Sequence, residues 1–110
     1  MTPLRRPTEP GVDPDAGPAE PADLVAAAVL AVPGVAGLHG GVLGEVGTYL
    51  PGRRVAGVRL RDDRAEVHLT VEMGAPLHDT VRLVREAVRG VVGGPVDVTV
   101  EDVVAPGTPA

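Results

Sequence analysis

Phenylalanine, tryptophan and isoleucine do not occur in this chain, and tyrosine occurs once. A core therefore has to be assembled from 21 valines with leucine and alanine, each fully buried Val or Leu contributing about 1.5 to 3 kcal/mol. Small, β-branched packing is the expectation. Cysteine is absent, which excludes disulfides, thiol catalysis and Fe–S ligation through Cys, and fits a reducing compartment. Serine is absent, so no Ser-His-Asp set exists. Lysine and asparagine are also missing. Together with Phe and Ile they are the residues of AT-rich codons, so a chain rich in Ala, Gly, Pro, Val and Arg has the composition of a high-GC bacterial sequence. Its reliance on arginine for positive charge is then weak functional evidence.

Long apolar runs are lacking too. The longest, LVAAAVLAV from Leu24 to Val32, has nine residues and is closed by Pro33-Gly34, against the ~20 that a membrane-spanning helix needs. No direct membrane insertion is expected. The net charge is −5, with no basic cluster of the density that nucleic acid requires, so nucleic acid is not an expected partner. Arg5-Arg6 is followed by PTEPGVDPDAGPAEP rather than by a hydrophobic segment, so no secretory or twin-Arg signal is expected, and the cytoplasm is the expected location.

What is present is one modest domain. A chain of 110 residues buries roughly 60 to 65% of its unfolded surface at most. Residues 1–21 are rich in Pro, Gly and acid without apolar periodicity, a composition that cannot offset the entropy of ordering, and are expected to be a disordered tail. The domain is expected over 22–104, with a short flexible tail at 105–110. Leu24, Val25, Ala28, Val29 and Val32 fall on one helical stripe, with Glu20 and Asp23 at the favourable N-terminal end and Pro33-Gly34 as the stop. Val35 to Gly41 reads as a short strand, and the Gly-punctuated VLGEVGTYLPGRR that follows as a long loop.

Then the period becomes two. VAGVRLR and AEVHLTVEM, separated by Asp62-Asp63, read as a β-hairpin. Val58 and Leu60, with Ala65, Val67, Leu69, Val71 and Met73, point inward. Arg59, Arg61, Glu66, His68, Thr70 and Glu72 share the wet face, where the arginines and acids are within cross-strand reach at about 0.2 to 1 kcal/mol per pair. After Gly74, Pro76 suits a first helical turn, and Leu77, Val81, Val84, Val88 and Val91 form a helical stripe ended by Gly93-Gly94-Pro95. VDVTVEDVV alternates as a last strand. The expected fold is α+β: a two-layer sandwich with two helices packed on one face of a small mixed sheet, in the order helix, weak strand, hairpin, helix, strand. A right-handed crossover makes the strands on either side of the second helix parallel.

The residues that bring chemistry are sparse. EMGAPLHDT, at a strand-to-helix joint, lacks both the Lys-Ser/Thr of a P-loop and the repeated glycines of a dinucleotide turn, so Gly74 reads as a turn residue, and His78 and Asp79 as caps or ornaments of the first turn. His68 and Glu72 lie four apart on a strand, roughly 13 Å at ~3.3 Å per residue, too far to chelate one ion with His78. No catalytic residue, metal or cofactor is expected. Gly41-Val42-Leu43-Gly44 has the spacing of the KH nucleic-acid loop, but its middle pair is apolar and only Tyr49 is near for stacking. The helix-strand-strand-helix-strand order is similar to that of small iron–sulfur assembly scaffold domains, whose Asp-Pro-Glu motif and cysteine are absent.

VAAAVLAVPGVAGL, GVRLRDDRAEVHLTVEMGAPLHDTVRLVREAVRG and VDVTVEDVV together resemble the alkaline shock protein family of Gram-positive envelope stress response proteins, over most of Ala22 to Val104. The shared features are a helix running into Pro-Gly-Val, a Gly-Val before the hairpin, a strand ending in Gly just before a helix, and a terminal alternating strand. The resemblance implies a non-enzymatic cytoplasmic interaction or scaffold protein. It implies recruitment to the inner face of the membrane by an anchored family member, and self-association. The departure is the Gly-rich, Lys-free loop at 40–54. The candidate interaction surface comprises Arg53 and Arg54 at the loop rim and Arg59, Arg61, Glu66, His68 and Glu72 on the polar sheet face. The alternative is a nucleic-acid or small-anion binding module that uses the loop at 40–54 with Arg53 and Arg54.

Overall fold

The computed structural model describes residues 20–108. The tail expected at 1–21 lies outside the described residues except at its end, where Pro21 is already the first residue of helix α1 (Pro21–Leu30). Proline is tolerated there because a first-turn N–H has no intrahelical acceptor. The Glu20 carbonyl accepts from Asp23 and Leu24. Ala22, Val25 and Val29 are buried, but Leu24, expected inward, is half exposed. Asp23 is the only charged residue of α1, so no polar stripe marks which face of this apolar helix is outer.

Strand β5 (Ala65–Glu72) is the axis of the sheet. Along one edge it pairs in parallel with β6 (Val96–Val104), from Ala65↔Val96 to Glu72↔Val104. Its other edge is shared by two strands. Antiparallel β4 (Val58–Leu60) pairs with Ala65–Val67, and antiparallel β1 (Val35–Leu38) with Leu69–Val71. Both run in the same direction, so β1 and β4 form one strand line interrupted opposite His68. At the interruption the His68 N–H donates to Gly57 O at 2.8 Å, and the His68 carbonyl accepts the His39 N–H at 2.9 Å. The two roots of the intervening segment are thereby clamped by one residue.

That segment corrects the long-loop expectation for 42–54. It contains a second hairpin, β2 (Gly47–Leu50) and β3 (Arg53–Ala56), paired from Gly47↔Ala56 to Leu50↔Arg53. Pro51 and Gly52 occupy the centre of its turn, Gly52 at φ +74°, the placement a type II turn requires. The expected strand VAGVRLR is accordingly split at Gly57 into β3 and β4. Gly57 has φ +80°, and a Cβ there would sit 2.7 Å from the His68 carbonyl oxygen, so only glycine fits the root. The ribbon turns Val55 into the core and lays Leu50 against it. It is pinned to α1 by a two-pronged contact, in which Arg53 Nη1 and Nη2 donate to the Asp23 carboxylate at 2.6 Å each.

Helix α2 (Leu77–Val92) links β5 to parallel β6, and Gly93 closes it in the left-handed conformation with its N–H on Arg89 O. Val25 and Val29 of α1 meet Val84 and Val88 of α2 over Val58, Val67 and Leu69 of the sheet, all fully buried. The architecture is the expected α+β sandwich, with the helices packed together on one face of a mixed sheet.

Several face assignments change. Met73 is 63% exposed because β5 ends at Glu72. Leu77 and Val91, at the two ends of α2, are also largely exposed, while Thr80 is buried beneath the α1–β1 turn, where a Cβ on Gly34 would lie 2.9 Å from its Oγ1. Neither His78 nor Asp79 caps α2, whose N-cap makes no side-chain hydrogen bond. Thr70, expected on the wet face, is 3% exposed. It stands between two irregularities, at Val35/Gly37 in β1 and where β6 steps from Val100 to Asp102. Bulges bend a strand and raise its twist, and a side chain as short as threonine's is shielded between two of them. Residues 105–108, expected to begin a flexible tail, form a turn in which Thr108 N–H donates to Ala105 O; 109–110 lie outside the described residues.

Leu69→Ala should lose about 2 to 5 kcal/mol in urea melts, whereas Glu66→Ala should lose no more than about 1 kcal/mol. Gly44 shares the positive φ of Gly57 but faces open space. Gly44→Ala should therefore cost about 1 to 2 kcal/mol of backbone strain alone, and Gly57→Ala clearly more; equal costs would contradict the clamp at His68.

Candidate functional site

The alternation of β5 places Glu66 and His68 on the sheet face away from the helices, and the neighbouring strands bring partners to both. Across β6, His68 Nδ1 lies 2.7 Å from Glu101 Oε1. Along its own strand, His68 Nε2 is 3.5 Å from Glu66 Oε2. On β4, Arg59 Nη1 donates to the same Glu66 oxygen at 3.3 Å, while Arg59 Nη2 reaches the Glu45 carbonyl at 2.6 Å. The His68 side chain is only 14% exposed. The network thus runs from β6 through β5 and β4 to the loop before β2.

Its chemistry is that of a structural chain. Hydrogen bonds to ionised groups are the strong ones, and here those of Glu101 with His68, Arg59 with Glu66 and Arg59 with the Glu45 carbonyl each join two backbone elements. Among the described residues no three His, Asp or Glu side chains are grouped so as to hold one metal ion. Glu72 continues the face, half-buried, with its backbone N–H on Gly34 O. Arg61 is exposed at the β4–β5 turn, where its N–H donates to Arg64 O. Of the expected cross-strand pairs, Arg59–Glu66 forms.

The Gly-rich loop is closed on itself. Gly44 N–H donates to Gly41 O, Val46 N–H to Gly40 O, and Gly41 N–H to His39 Nδ1 at 2.9 Å. Leu43 N–H donates to Glu45 Oε2 at 2.9 Å. The Glu45 carboxylate so fills the hollow of the loop that a Cβ on Gly41 would lie 2.8 Å from it. Its own backbone N–H, then that of Leu43, then the nearby His68 and Arg59, hold the Glu45 carboxyl below the usual carboxylate range, against a smaller opposing effect of burial. The hydrogen bond from Arg53 likewise holds Asp23 low.

This geometry weighs against the anion-binding alternative. Arg53 is engaged by Asp23. Arg54 donates through Nη2 to the carbonyls of Gly44 and Val46, and its guanidinium carbon stands 5.5 Å from the centre of the Tyr49 ring. The amides that would cradle a phosphate already hold a carboxylate. Of the seven candidate residues, Arg59, Glu66 and His68 are brought into one network, Arg53 and Arg54 fasten the ribbon, and Arg61 and Glu72 stand apart from both. Sequence reasoning missed His39, Glu45 and Glu101, and weighed Tyr49 only for base stacking. The alternation of VDVTVED gives the face of Glu101 but not its place beside His68, which lies at the irregularity of β6, while the role of Glu45 depends on a loop conformation that no periodicity encodes.

Comparison of the chain with family models, with curated proteins and with solved structures gives no match. The resemblance to the alkaline shock family rests on the quoted sequence features alone.

The depressed Glu45 carboxyl makes the loop closure acid-sensitive. A group whose folded value lies below its unfolded value contributes stability that is complete above the ordinary carboxylate pKa, near about 4.3 for Glu, and that is lost as pH falls through the folded value. In an amide NMR titration the Leu43 resonance should move at a pH below the ordinary carboxylate range, and Glu45→Gln should abolish that movement. A Leu43 amide unaffected by the Glu45 substitution would contradict the closure.

Proposed function

We propose that this protein is a non-catalytic interaction module of the envelope stress type, acting in the cytoplasm and drawn to the membrane by an anchored protein partner. The observation that carries this reading is how the reactive side chains are used. His68, Glu66, Glu101, Arg59, Glu45 and Arg54 all hold strands or the loop backbone in place. A catalytic group must reach a substrate, and in this arrangement the polar groups reach the fold. The sequence resemblance supports the same class of function. Among the described residues no helix is long and apolar enough to cross a membrane, which agrees with recruitment by a partner.

Lipid binding by the chain itself is disfavoured. The net charge of −5 opposes anionic lipid, and Arg53-Arg54 is short of the four-to-eight-residue basic cluster that such surfaces attract. Helix α1 carries neither the Lys and Arg nor the polar face of interfacial helices.

The purified protein should stay in the supernatant after sedimentation with anionic vesicles. A fluorescent fusion should be diffuse in an unrelated bacterial host and peripheral in the cell of origin. Co-sedimentation with vesicles would replace the partner-dependent reading with direct lipid binding, and a diffuse signal in both hosts would remove the envelope assignment.

A further inference from the structure

Two of the three histidines of the chain are held in opposite senses. Gly41 N–H donates to His39 Nδ1 at 2.9 Å. A backbone N–H can only donate, so Nδ1 has to offer its lone pair, and the proton of the neutral ring sits on Nε2. The His39 backbone is itself a root of the extruded segment, with its N–H on the His68 carbonyl. His68 has the reverse arrangement. Its Nδ1 stands 2.7 Å from the Glu101 carboxylate, which can only accept, so that nitrogen carries a proton, and its Nε2 faces Glu66 Oε2 at 3.5 Å beside Arg59. A proton added to His68 gains a carboxylate partner, whereas a proton added to His39 Nδ1 removes the acceptor of Gly41.

The other ties of the loop among the described residues do not respond to mild acid. Gly44 N–H on Gly41 O and Val46 N–H on Gly40 O join backbone to backbone, and Arg54 and Arg59 hold the carbonyls of Gly44, Val46 and Glu45. The Glu45 carboxylate, on Leu43 N–H, stays ionised to below the ordinary carboxylate range. Imidazole is the side chain that ordinarily changes charge between about pH 5 and 8. The charged and titratable groups around the loop root are Glu45, whose carboxylate lies against Gly41, Arg54 of β3, whose Nη2 lies against Gly40, Arg59 of β4 and His68 of β5. The arginines oppose a further positive charge there, and Glu45 favours it. An imidazolium drawn toward Glu45 still has no lone pair for Gly41, so these charges shift the pH of release and not its direction.

We propose that His39 is an acid-released latch: on taking up a proton at Nδ1 it lets go of Gly41 and frees the root of the loop at 40–46 while the sheet stays intact. The open loop binds one proton more than the closed one, so closure is complete above the imidazole range and is lost as pH falls through it. Glu45 follows only at lower pH. The segment set free is the one that carries the exposed Val42 and Leu43, so the change is in the shape of the surface rather than in the fold. The backbone clamp at His68 and the His68–Glu101 pair remain in place. The latch is a property of the loop itself and does not depend on the interaction-module reading.

The test is NMR on the full chain. At about pH 8 the ring-nitrogen resonances should show His39 with a bare Nδ1 and His68 with a protonated one. From about pH 8 to about pH 5 the Gly41 amide should shift. Its protection from hydrogen exchange, corrected for the intrinsic rate, should fall by up to about tenfold per pH unit, while the His68 amide keeps its protection. In His39→Asn the side-chain oxygen takes the place of Nδ1, accepting from the N–H two residues on as in an Asx turn, and does not titrate. The Gly41 amide of that variant should stay protected throughout. His78→Asn, at the exposed start of α2, should respond as the wild type does. The proposal is overturned by a protonated His39 Nδ1 at about pH 8, by a Gly41 amide indifferent to pH, or by a response that persists in His39→Asn. Loss of the His68 amide together with that of Gly41 would also overturn it, because the event would then be acid unfolding of the whole domain. The wild-type measurements decide by themselves if the Asn variant does not fold.

Discussion

Both backbone groups of His68 face the edge of β5 at the one point where that edge has no strand partner. The N–H finds Gly57 and the carbonyl finds His39, and everything between those two residues leaves the sheet. A buried backbone group without a partner costs about as much as a lost hydrogen bond, so the two roots are held where they are. Their registers are held as well, because a slip of one residue would turn Val58 and Leu38 to the opposite face. The missing Cβ of Gly57 makes the arrangement possible.

With its roots fixed, the extruded ribbon is fastened again by packing and by charge. Val55 enters the valine core, and Arg53 grasps Asp23 at the start of α1. The one large aromatic ring of the chain, that of Tyr49, is exposed and plugs no loop. Order in the segment from His39 to Val46 comes instead from side chains that satisfy its backbone, with Glu45 lying inside it. The same necessity explains why the polar sheet face makes a network rather than a pocket. Glu101 and Arg59 each join a neighbouring strand to His68 or Glu66 on the axis strand.

How far this was legible in the sequence depends on what each element needed to be recognised. Helix α2 and strands β5 and β6 show their period over many residues, and their existence and layering follow from it. The outer face of α1 does not, because a helix of Ala, Leu and Val with one acid has no polar side to mark. Strands β2 and β3 have four residues each, too few for alternation to register, and the readable sign was Pro51-Gly52 between TYL and RRV. That β1 and β4 share one edge of β5 is a matter of pairing, which no local pattern carries. The seven candidate residues were found as a polar face, but which would bind each other depended on the strand register. The position of Glu101 required the bulge as well.

Separating the ribbon from the sheet has a consequence for how the protein can carry recognition. The valine core is close-packed, and one methylene more or less within it is felt throughout. The faces of β5 are therefore poor places to vary a binding surface. The tip at Val42 and Leu43 stands outside that constraint, since neither side chain packs on the core and both belong to a loop closed by its own polar groups. Substitutions there change what is presented without changing what supports it. On the proposed reading, the divided strand is the device that joins a close-packed sandwich to an outlying loop, with the His68 backbone as the clamp between the two.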